Sequence, residues 1–373
     1  MRILHINCNY IGTTLHQLMI EHLDALGYDN QIFVPTYDKR IRAIKTNNNV
    51  YVSECFTKWD RLLFDYKQQK IIKAIEEQYD ITEFDLIHAY TLYTDGNVAR
   101  ILSEKYGIPY VVAIRNTDVN VFFKKMIHLR RRGVKTLLAA KGVFFLSESY
   151  RRQVFKKYIP QKYQSRIKHK SYILPNGLDE FWLKNTPNQE KRLDKKNIKL
   201  IYAGRIDKNK NIPTIQKAME ILRKQGYATT LTVVGKIQNK NVFEIIKRYP
   251  FTTYIPAQPK EELMSIYREA DIFVMPSFTE SFGLVYAEAM SQGLPVIYSK
   301  EQGFDGQFPE GIIGYHVDSK SPSDVALGIM RVIENYERIK PNCIPLSHRF
   351  AWDHICQDYS SLYKKIVKGE YGI

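Results

Sequence analysis

The sequence predicts an α/β fold made of two Rossmann-like domains in tandem. The chain has 373 residues, more than one hydrophobic core usually organises, so two domains are expected. Apolar runs typical of buried strands alternate with segments of helical period, a pattern typical of parallel sheets built from βαβ units. A charged, asparagine-rich stretch with few apolar residues, 184–197, divides these elements into two sets. This stretch is interpreted as the linker between the domains.

The first set of elements contains short apolar runs bounded by polar or turn-forming residues, as expected for strands of a buried sheet. The predicted strands are 3–7, 31–34, 85–89, 110–114, 143–147 and 172–174. The clearest helices between them are 15–26 and 97–106. The turn-forming run Pro175-Asn176-Gly177 closes this set.

The second set follows the linker and has the same alternation. Its predicted strands are 198–203, 231–234, 272–275 and 295–298, and its predicted helices are 212–224, 261–269 and 284–291. In the last segment, 348–368, apolar residues recur at helical spacing, which predicts an amphipathic helix that packs on a domain surface. The predicted divisions of the chain are 1–180, 181–345 and 346–373.

The composition excludes several classes of protein. With 44% hydrophobic and 25% charged residues the chain is neither disordered nor fibrous. No run approaches the roughly 20 apolar residues that cross a bilayer, and Met1 leads directly into a predicted strand rather than a signal peptide, so a cytoplasmic location is expected. The four cysteines are scattered without CxxC spacing, which predicts neither a disulfide framework nor a zinc site.

Positive charge is concentrated in one segment. The net charge is +16, and residues 121–172 hold 15 lysines and arginines against a single acid, Glu148. Such a field attracts a polyanion or an anionic membrane. Because Phe122, Phe123, Ile127, Leu129 and Val134 interleave with the basic residues, we expect contact with anionic lipid at the inner face of the cell membrane. The alternative is a solvated basic face whose apolar residues belong to the core.

The loop after the predicted strand 198–203 carries cations where ligands bind in α/β folds. It reads Gly204-Arg205-Ile206-Asp207-Lys208-Asn209-Lys210-Asn211, and Pro213 then suits the first turn of a helix. This places Arg205 and Lys210 at the carboxyl edge of a parallel sheet, where they can neutralise a diphosphate. The alternative is a solvated loop in a lysine-rich protein.

A second loop adds two carboxylates around a helix start. The run Ser281-Phe282-Gly283-Leu284 follows the predicted strand 272–275, with Glu280 just before it and Glu288 inside the helix that it opens. Unpaired amides at such a helix start bind phosphate, and Gly283 allows close approach of a ligand. Carboxylates on either side can accept hydrogen bonds from sugar and ribose hydroxyls. The alternative is a capping box formed by Ser277 and Glu280, with Glu288 merely exposed.

These motifs, in this order and spacing, resemble family 4 of the retaining GT-B glycosyltransferases over most of the chain. The family's two glutamates separated by seven residues are matched by Glu280 and Glu288. Its phosphate-binding Gly-Arg with a following Lys is matched by Gly204, Arg205 and Lys210. The runs Pro175-Asn176-Gly177-Leu178-Asp179 and Phe350-Ala351-Trp352 resemble the segment before the family's domain linker and its terminal helix. The resemblance therefore implies two Rossmann-like domains with a nucleotide-sugar cleft between them and a C-terminal helix that returns to the first.

The resemblance also implies roles for individual residues. Arg205 and Lys210 would hold the leaving diphosphate, Glu280 would contact the donor sugar, and Glu288 would contact the ribose. Backbone amides of Phe282, Gly283 and Leu284 would bind phosphate. Catalysis would rest on electrostatic stabilisation of the departing nucleotide, with no separate nucleophile.

The first domain matches the family less closely and would bind the acceptor. Gly12 and His16 match a second glycine and a later histidine, but Ile11 stands where a first glycine is common. After the predicted strand 110–114, where relatives place a histidine against the donor sugar, this chain reads Arg115-Asn116-Thr117-Asp118. Asp118 is a candidate for acting on an acceptor hydroxyl, and a buried pair of Arg115 with Asp118 is the alternative. His88 is expected to face the same cleft or to be packed.

The expected reaction moves a hexose-type sugar from a nucleotide diphosphate sugar, with UDP favoured over GDP, to a saccharide or lipid-linked acceptor in cell-surface polysaccharide or glycolipid synthesis. No Asp-x-Asp run occurs, so neither a metal nor another cofactor is predicted. Other interpretations are a related GT-B epimerase or phosphorylase, a non-catalytic sugar-binding relative, and a nucleic-acid-binding protein using the basic segment. No helix-turn-helix, zinc-finger or aromatic RNA-binding signature supports the last, so nucleic acid is not an expected partner.

Overall fold

A computed structural model describes residues 1–42, 49–188 and 191–370 of the chain. Within these ranges the strands are β1 (Arg2–Ile6), β2 (Asp29–Pro35), β3 (Val50–Ser53), β4 (Leu86–Ala89), β5 (Tyr110–Ile114), β6 (Gly142–Phe145), β7 (Ser171–Ile173), β8 (Ile198–Ala203), β9 (Thr229–Val234), β10 (Thr252–Ile255), β11 (Ile272–Met275), β12 (Val296–Ser299) and β13 (Gly314–Val317).

The α-helices connect these strands. They are α1 (Thr14–Ala25), α2 (Lys39–Arg42), α3 (Phe64–Gln78), α4 (Thr94–Tyr106), α5 (Arg130–Ala139), α6 (Glu148–Tyr158), α7 (Gln161–Lys168), α8 (Glu180–Lys184), α9 (Ile212–Lys224), α10 (Lys240–Ile246), α11 (Lys260–Glu269), α12 (Leu284–Ser291), α13 (Pro322–Glu334), α14 (Tyr336–Ser347) and α15 (Trp352–Val367). Among the described residues, no helix combines the length and the apolar character needed to cross a lipid bilayer.

The first compact unit comprises Met1–Leu146, Arg151–Pro175 and the C-terminal segment from Trp352. Its seven-stranded sheet has the order β3-β2-β1-β4-β5-β6-β7, and every pairing is parallel. Strands β4, β5 and β6 are buried along their whole length, because helices cover both faces of a parallel sheet.

Helix α15 belongs to this first unit. Its buried side chains recur every three or four positions, which gives one apolar face; they are Trp352, Ile355, Cys356, Tyr359, Ser360, Tyr363 and Ile366. This face packs in one core with side chains of α1 and the central strands, such as Met19 and Leu86. Two hydrogen bonds fix the helix position, from Tyr363 Oη to His88 Nδ1 at 2.7 Å and between the Tyr28 and Ser360 hydroxyls at 2.6 Å.

The second compact unit comprises Ser147–Tyr150 and Asn176–Ala351. Its six-stranded parallel sheet has the order β10-β9-β8-β11-β12-β13. Counting from β8, the order is 3-2-1-4-5-6, which is the Rossmann arrangement. The order reverses between β8 and β11, and the loops after these two strands meet at the carboxyl edge of the sheet, where such folds bind ligands.

The predicted fold class is confirmed. Strands β5, β8 and β11 and helices α9 and α12 have the bounds that the sequence predicted. Three strands were not predicted, namely β3, β10 and β13, and each lies at the edge of its sheet. Each has four residues, of which at most two are buried, since an edge strand is covered less completely. They therefore lack the continuous apolar pattern of the central strands.

Candidate active site

Two loops of the second unit build the candidate site. One runs from β8 to α9 and carries Arg205 and Lys210, and the other runs from β11 to α12 and carries Glu280. The side chain of Asn209 joins them: its Nδ2 donates to the Thr279 carbonyl at 2.8 Å, and its Oδ1 accepts from the Thr279 amide at 3.0 Å. The two loops are therefore held in fixed register at the point where the strand order reverses.

Lys210 and Glu280 form a close ion pair between these loops. Lys210 Nζ lies 2.6 Å from Glu280 Oε2, and the two side chains are only 13% and 11% exposed. Glu280 Oε1 accepts a hydrogen bond from the Ser281 amide at 3.1 Å. A pair at this depth is screened less by salt than a surface pair. The arrangement places the Lys210 ammonium and the Glu280 carboxylate side by side.

The start of helix α12 forms the next wall of the site. Gly283 is its N-cap residue, with φ +84°, and a Cβ at this position would lie 2.5 Å from the Tyr286 ring. The cap has no side-chain hydrogen bond, so the capping box of Ser277 and Glu280 that the sequence allowed is wrong. Phe282 is buried and packs edge-on against Phe350, with ring centroids 5.5 Å apart. This buried ring anchors the peptide that leads into the helix.

A pocket of about 250 Å³ lies between the ion pair and this helix start. Its lining residues are Asn176, Lys210, Glu280, Ser281, Phe282, Gly283, Leu284 and Val285. The positive end of the α12 dipole and the ammonium of Lys210 both favour an anion here. The pocket thus brings together five of the predicted site residues, and Asn176, Ser281 and Val285 complete its lining.

A larger cavity of about 1010 Å³ lies elsewhere in the second unit, next to helix α14. Lys191, Arg268, Gln292 and Tyr336 are among its lining residues, and none of the predicted site residues lines it. Volume alone does not identify a site, because a ligand is selected by converging polar groups. The smaller pocket has that convergence.

Positioning residues around Glu280 were missed by the sequence analysis. The side chain of Gln302 accepts a hydrogen bond from the Glu280 amide at 3.0 Å, and the Gly303 amide donates to the Glu280 carbonyl at 2.9 Å. A Cβ at Gly303 would lie 2.0 Å from the Ser281 carbonyl oxygen, so only glycine allows this approach. Both residues follow β12, far from Glu280 along the chain, and no local pattern reveals the contact.

Glu288 lies one turn into α12 and is partly buried. Burial raises the pKa of its carboxyl to about 7, while the nearby Tyr267 hydroxyl acts in the opposite direction. A carboxyl with this pKa changes charge near neutral pH, and such groups are common at functional sites. Glu288 does not line the pocket of about 250 Å³.

Arg205 and Gly204 are placed differently from Lys210. The guanidinium of Arg205 lies 3.7 Å from Asp207, its side chain is 60% exposed, and it does not line the pocket. The Gly204 amide donates to the Val234 carbonyl at 2.9 Å, so this amide belongs to the sheet. Of the two predicted cations, only Lys210 contacts Glu280 in this conformation.

Asp118, in the first unit, has the environment of a structural carboxylate. It is completely buried and accepts three backbone hydrogen bonds, from the amides of Arg115 at 2.9 Å, Leu92 at 3.1 Å and Tyr93 at 3.2 Å. Burial raises the pKa of Asp118 to about 6, against the lowering effect of these amides. The contacts hold together the loops after β4 and β5. An acceptor hydroxyl therefore has no access to this carboxylate, and the catalytic role considered for Asp118 is not supported.

Packing accounts for the two histidine candidates of the first unit, His16 and His88, but not for Gly12. Gly12 is exposed, its amide donates to the Asn9 carbonyl at 3.2 Å, and a Cβ there would meet open space. His88 is fully buried and stacks on Tyr90 with ring centroids 4.3 Å apart. His16 packs edge-on against the same Tyr90 ring at 4.7 Å, and burial lowers its pKa to about 3. Of these three, only Gly12 is open to a ligand.

One group in the described part of the chain has ligand atoms close enough to hold a metal ion: Asp305, Glu310 and His316, within 4.8 Å of one another. His316 Nδ1 lies 3.0 Å from Asp305 and 3.3 Å from Glu310. A hydrogen bond between the imidazole Nδ1 and the Asp305 carboxylate accounts for this spacing. Asp305 also accepts from the Glu301 amide at 2.6 Å, so the group stiffens the loop that carries Gln302 and Gly303.

The basic segment 121–172 is only partly available for binding. Of the five apolar residues expected at a lipid surface, Phe123, Leu129 and Val134 are buried in the core, and only Ile127 is exposed. That part of the expectation is wrong, because these three side chains pack inward, Val134 from α5 and Phe123 and Leu129 from the short helical turns that precede it. Some cations are also engaged: Lys170 Nζ donates to the Leu138 carbonyl at 2.7 Å, and burial lowers its pKa to about 8.

The two parallel sheets, the switch-point loops and the Glu280 to Glu288 segment together define a glycosyltransferase of the GT-B fold. Residues 12–180 match Glycosyltransferase Family 4, and residues 184–344 match Glycosyl transferases group 1. The chain belongs to this family of glycosyltransferases.

Among curated relatives, an uncharacterized glycosyltransferase of Methanocaldococcus jannaschii is 23% identical over 95% of both chains. The D-inositol 3-phosphate glycosyltransferase of Corynebacterium kroppenstedtii is 31% identical over 122 residues, which span 32% of this chain and 27% of that enzyme. Among solved structures, HepE of Anabaena in complex with UDP superposes with a TM-score of 0.74 and 17% identity, covering 98% of this chain and 100% of HepE. The structural similarity establishes the fold.

Proposed function

We propose that this chain is a retaining glycosyltransferase that moves a hexose-type sugar from a nucleotide diphosphate sugar, with UDP as the carrier, to a saccharide or lipid-linked acceptor. Such products serve cell-surface polysaccharide or glycolipid synthesis. The proposal is carried by one observation: Lys210 Nζ lies 2.6 Å from Glu280 Oε2 at a pocket whose wall is the uncapped start of α12. The structural similarity to HepE, solved with UDP, supports the choice of UDP.

Different groups of the pocket can bind the diphosphate and the sugar of a donor. Diphosphate oxygens would accept hydrogen bonds from Lys210 and from the amides at Phe282, Gly283 and Leu284. Lys210 would then exchange its bond to Glu280 for one to phosphate, and the freed carboxylate would accept from sugar hydroxyls. Glu288 would accept from the ribose, and Arg205 would reach the diphosphate by rotation of its exposed side chain.

The proposed reaction breaks the bond between the anomeric carbon and the phosphate oxygen and forms a bond from that carbon to the acceptor oxygen on the same face. The acceptor proton passes to the departing diphosphate. Cationic and amide groups of the protein offset the developing negative charge, which is the contribution of a preorganised site. A metal ion is not required to offset the negative charge that develops on the diphosphate, so we expect activity to persist in EDTA.

The experiment measures donor binding by titration calorimetry with a panel of UDP and GDP sugars, followed by transfer or donor hydrolysis with the preferred donor. Lys210→Ala and Glu280→Gln should each lower kcat/KM by about 100-fold or more, because each removes stabilisation of the transition state. Lys208→Ala, an exposed lysine on the same loop, is the matched control and should retain activity.

Thermal unfolding of each variant separates loss of chemistry from loss of fold, since removing one member of a buried pair also destabilises. Full turnover by folded Lys210→Ala or Glu280→Gln would reject the site. Donor binding by the wild type without any turnover would favour a non-catalytic sugar-binding protein. The anomeric configuration of the product, read by NMR, tests retention.

A further inference from the structure

The first unit carries large apolar side chains in water on an ordered turn. Trp59 and Leu62 are each 78% exposed, Leu63 is 63% exposed and Tyr66 is 54% exposed. They occupy the 3₁₀ turn Trp59–Leu62 and the first turn of α3. Contiguous apolar groups of this size, left exposed by a folded chain, mark an interaction surface.

The turn is held rigidly from beneath. Asp60 is buried and accepts from the Thr57 amide at 2.7 Å, and Lys70 Nζ lies 2.8 Å from the same carboxylate. The neighbours of Asp60 in the chain, Trp59 and Leu62, therefore project outward in a fixed arrangement. A rigid presentation reduces the entropy lost when the side chains are buried by a partner.

A second segment lies beside this turn and extends the apolar group. The rings of Phe64 and Phe122 are 6.3 Å apart edge-on, and the guanidinium of Arg132 lies over Phe64 at 5.0 Å while it pairs with Asp65. Ile127, 65% exposed, belongs to this second segment. We call residues 58–66 together with 121–132 the docking surface.

The charges of the docking surface select an anionic partner. Its two acids are neutralised, Asp60 by Lys70 and Asp65 by Arg132. Exposed bases are interspersed with the apolar residues along both segments; they are Lys58, Arg61, Lys124, Lys125 and Arg131. Exposed apolar side chains interspersed with cations suit the boundary of a bilayer that contains anionic lipid, where the apolar groups enter the acyl region and the cations meet phosphate.

We propose that the docking surface inserts Trp59, Leu62, Leu63 and Ile127 into an anionic lipid bilayer. A second copy of the chain is a poorer occupant, because a two-fold contact would place these cations against themselves. Nucleic acid is also poorer, since exposed leucines neither pair with phosphate nor stack on bases. The inference rests on the proposed function in one respect, the lipid-linked acceptor that a bilayer would carry. Its test measures vesicle binding and does not depend on sugar transfer.

The three tryptophans provide a direct probe. Trp182 and Trp352 are 4% and 3% exposed, so Trp59 is the tryptophan that reports contact with lipid. Adding vesicles of phosphatidylcholine with phosphatidylglycerol should shift the emission to the blue and reduce quenching by acrylamide, while pure phosphatidylcholine vesicles should have a much smaller effect. Trp59→Phe should abolish the fluorescence change but retain sedimentation with the vesicles.

The variant Leu62→Ser/Leu63→Ser should weaken binding to the anionic vesicles by about tenfold or more, since two apolar side chains no longer enter the bilayer. The matched control is Ile245→Ser/Leu327→Ser, at positions that are 40% and 36% exposed in the second unit, and it should bind like the wild type. Retained UDP binding and circular dichroism show that each variant is folded.

Unchanged vesicle binding of Leu62→Ser/Leu63→Ser, or sedimentation of the wild type without a change at Trp59, would overturn the proposal. So would a wild type that dimerises without binding vesicles and becomes monomeric in the leucine variant, because this identifies an interface between copies. Vesicle binding with no sugar transfer would leave the docking surface standing and reject the proposed function.

Discussion

At the scale of single residues, the environment decides what a carboxylate can do. Glu280 is paired with Lys210, Asp118 is enclosed by three backbone amides, and Glu288 is partly buried on α12. Burial raises the pKa of Asp118 and of Glu288, to about 6 and about 7. Of the two groups whose pKa is raised, Glu288 is the one that the proposed donor contacts, so its ionisation is expected to affect donor binding near neutral pH.

The pKa of Glu288 predicts a pH dependence of UDP binding. The ionised carboxylate accepts hydrogen bonds from both ribose hydroxyls more strongly than the neutral acid does, so affinity should be highest above pH 7 and fall as the pH decreases through about 7. The total decrease should be about tenfold, as expected for a hydrogen bond to a charged group. Calorimetry across this range measures it.

The comparison variant is Glu288→Gln, which cannot ionise and should bind UDP weakly with a flat pH profile. Glu262→Gln, an exposed carboxyl on α11, should keep the wild-type profile. If Glu288→Gln shows the same pH dependence as the wild type, another group titrates and the ribose contact is assigned wrongly.

At the scale of secondary-structure elements, strands β8 and β11 place the two site loops, and hydrogen bonds between these loops and from a third loop hold them there. Asn209 ties the loops together, and Gln302 and Gly303 reach Glu280 from the loop after β12. In the first unit, Asp118 joins the loops after β4 and β5 in a similar way. Such carboxylates contribute stability because they satisfy several backbone donors at once.

Asp118→Asn should therefore destabilise the first unit. The amide supplies one acceptor oxygen where the carboxylate supplied two, so a buried backbone donor loses its partner and unfolding should require about 1–3 kcal/mol less free energy at neutral pH. Urea unfolding followed by circular dichroism measures the difference. Glu77→Gln, at a position whose side chain is 65% exposed, is the control and should change stability by less than about 0.5 kcal/mol. Equal stability of the two variants would contradict the structural role of Asp118.

At the scale of the whole molecule, the chain forms two compact units, and α15, near its C-terminal end, packs within the first. The candidate donor pocket lies entirely in the second unit. A nucleotide bound there protects the backbone that it contacts, since hydrogen exchange reports local opening.

Hydrogen exchange with and without UDP should therefore show slower exchange in two stretches, 204–211 and 280–288. Uridine, which lacks the diphosphate, is the control and should leave the amides of Phe282, Gly283 and Leu284 unprotected. Protection confined to residues 1–146 would place the nucleotide in the first unit and contradict the proposed pocket.

Local patterns determined much of this protein. The continuous apolar runs of central strands, the spacing from Glu280 to Glu288 and the loop with Lys210 were all recognised from the sequence, because each depends on residues close together in the chain. The edge strands β3, β10 and β13 were not, since a strand with a neighbour on one side only has few buried residues and no continuous apolar run.

Only the tertiary structure decided which side chains are available. It buried Phe123, Leu129 and Val134, enclosed Asp118 in backbone amides and left Trp59, Leu62 and Leu63 in water. It also brought Gln302 and Gly303 to Glu280 from another loop. The physical reason is that burial and long-range hydrogen bonds depend on which elements pack together, and this packing is not encoded in the spacing of any single segment.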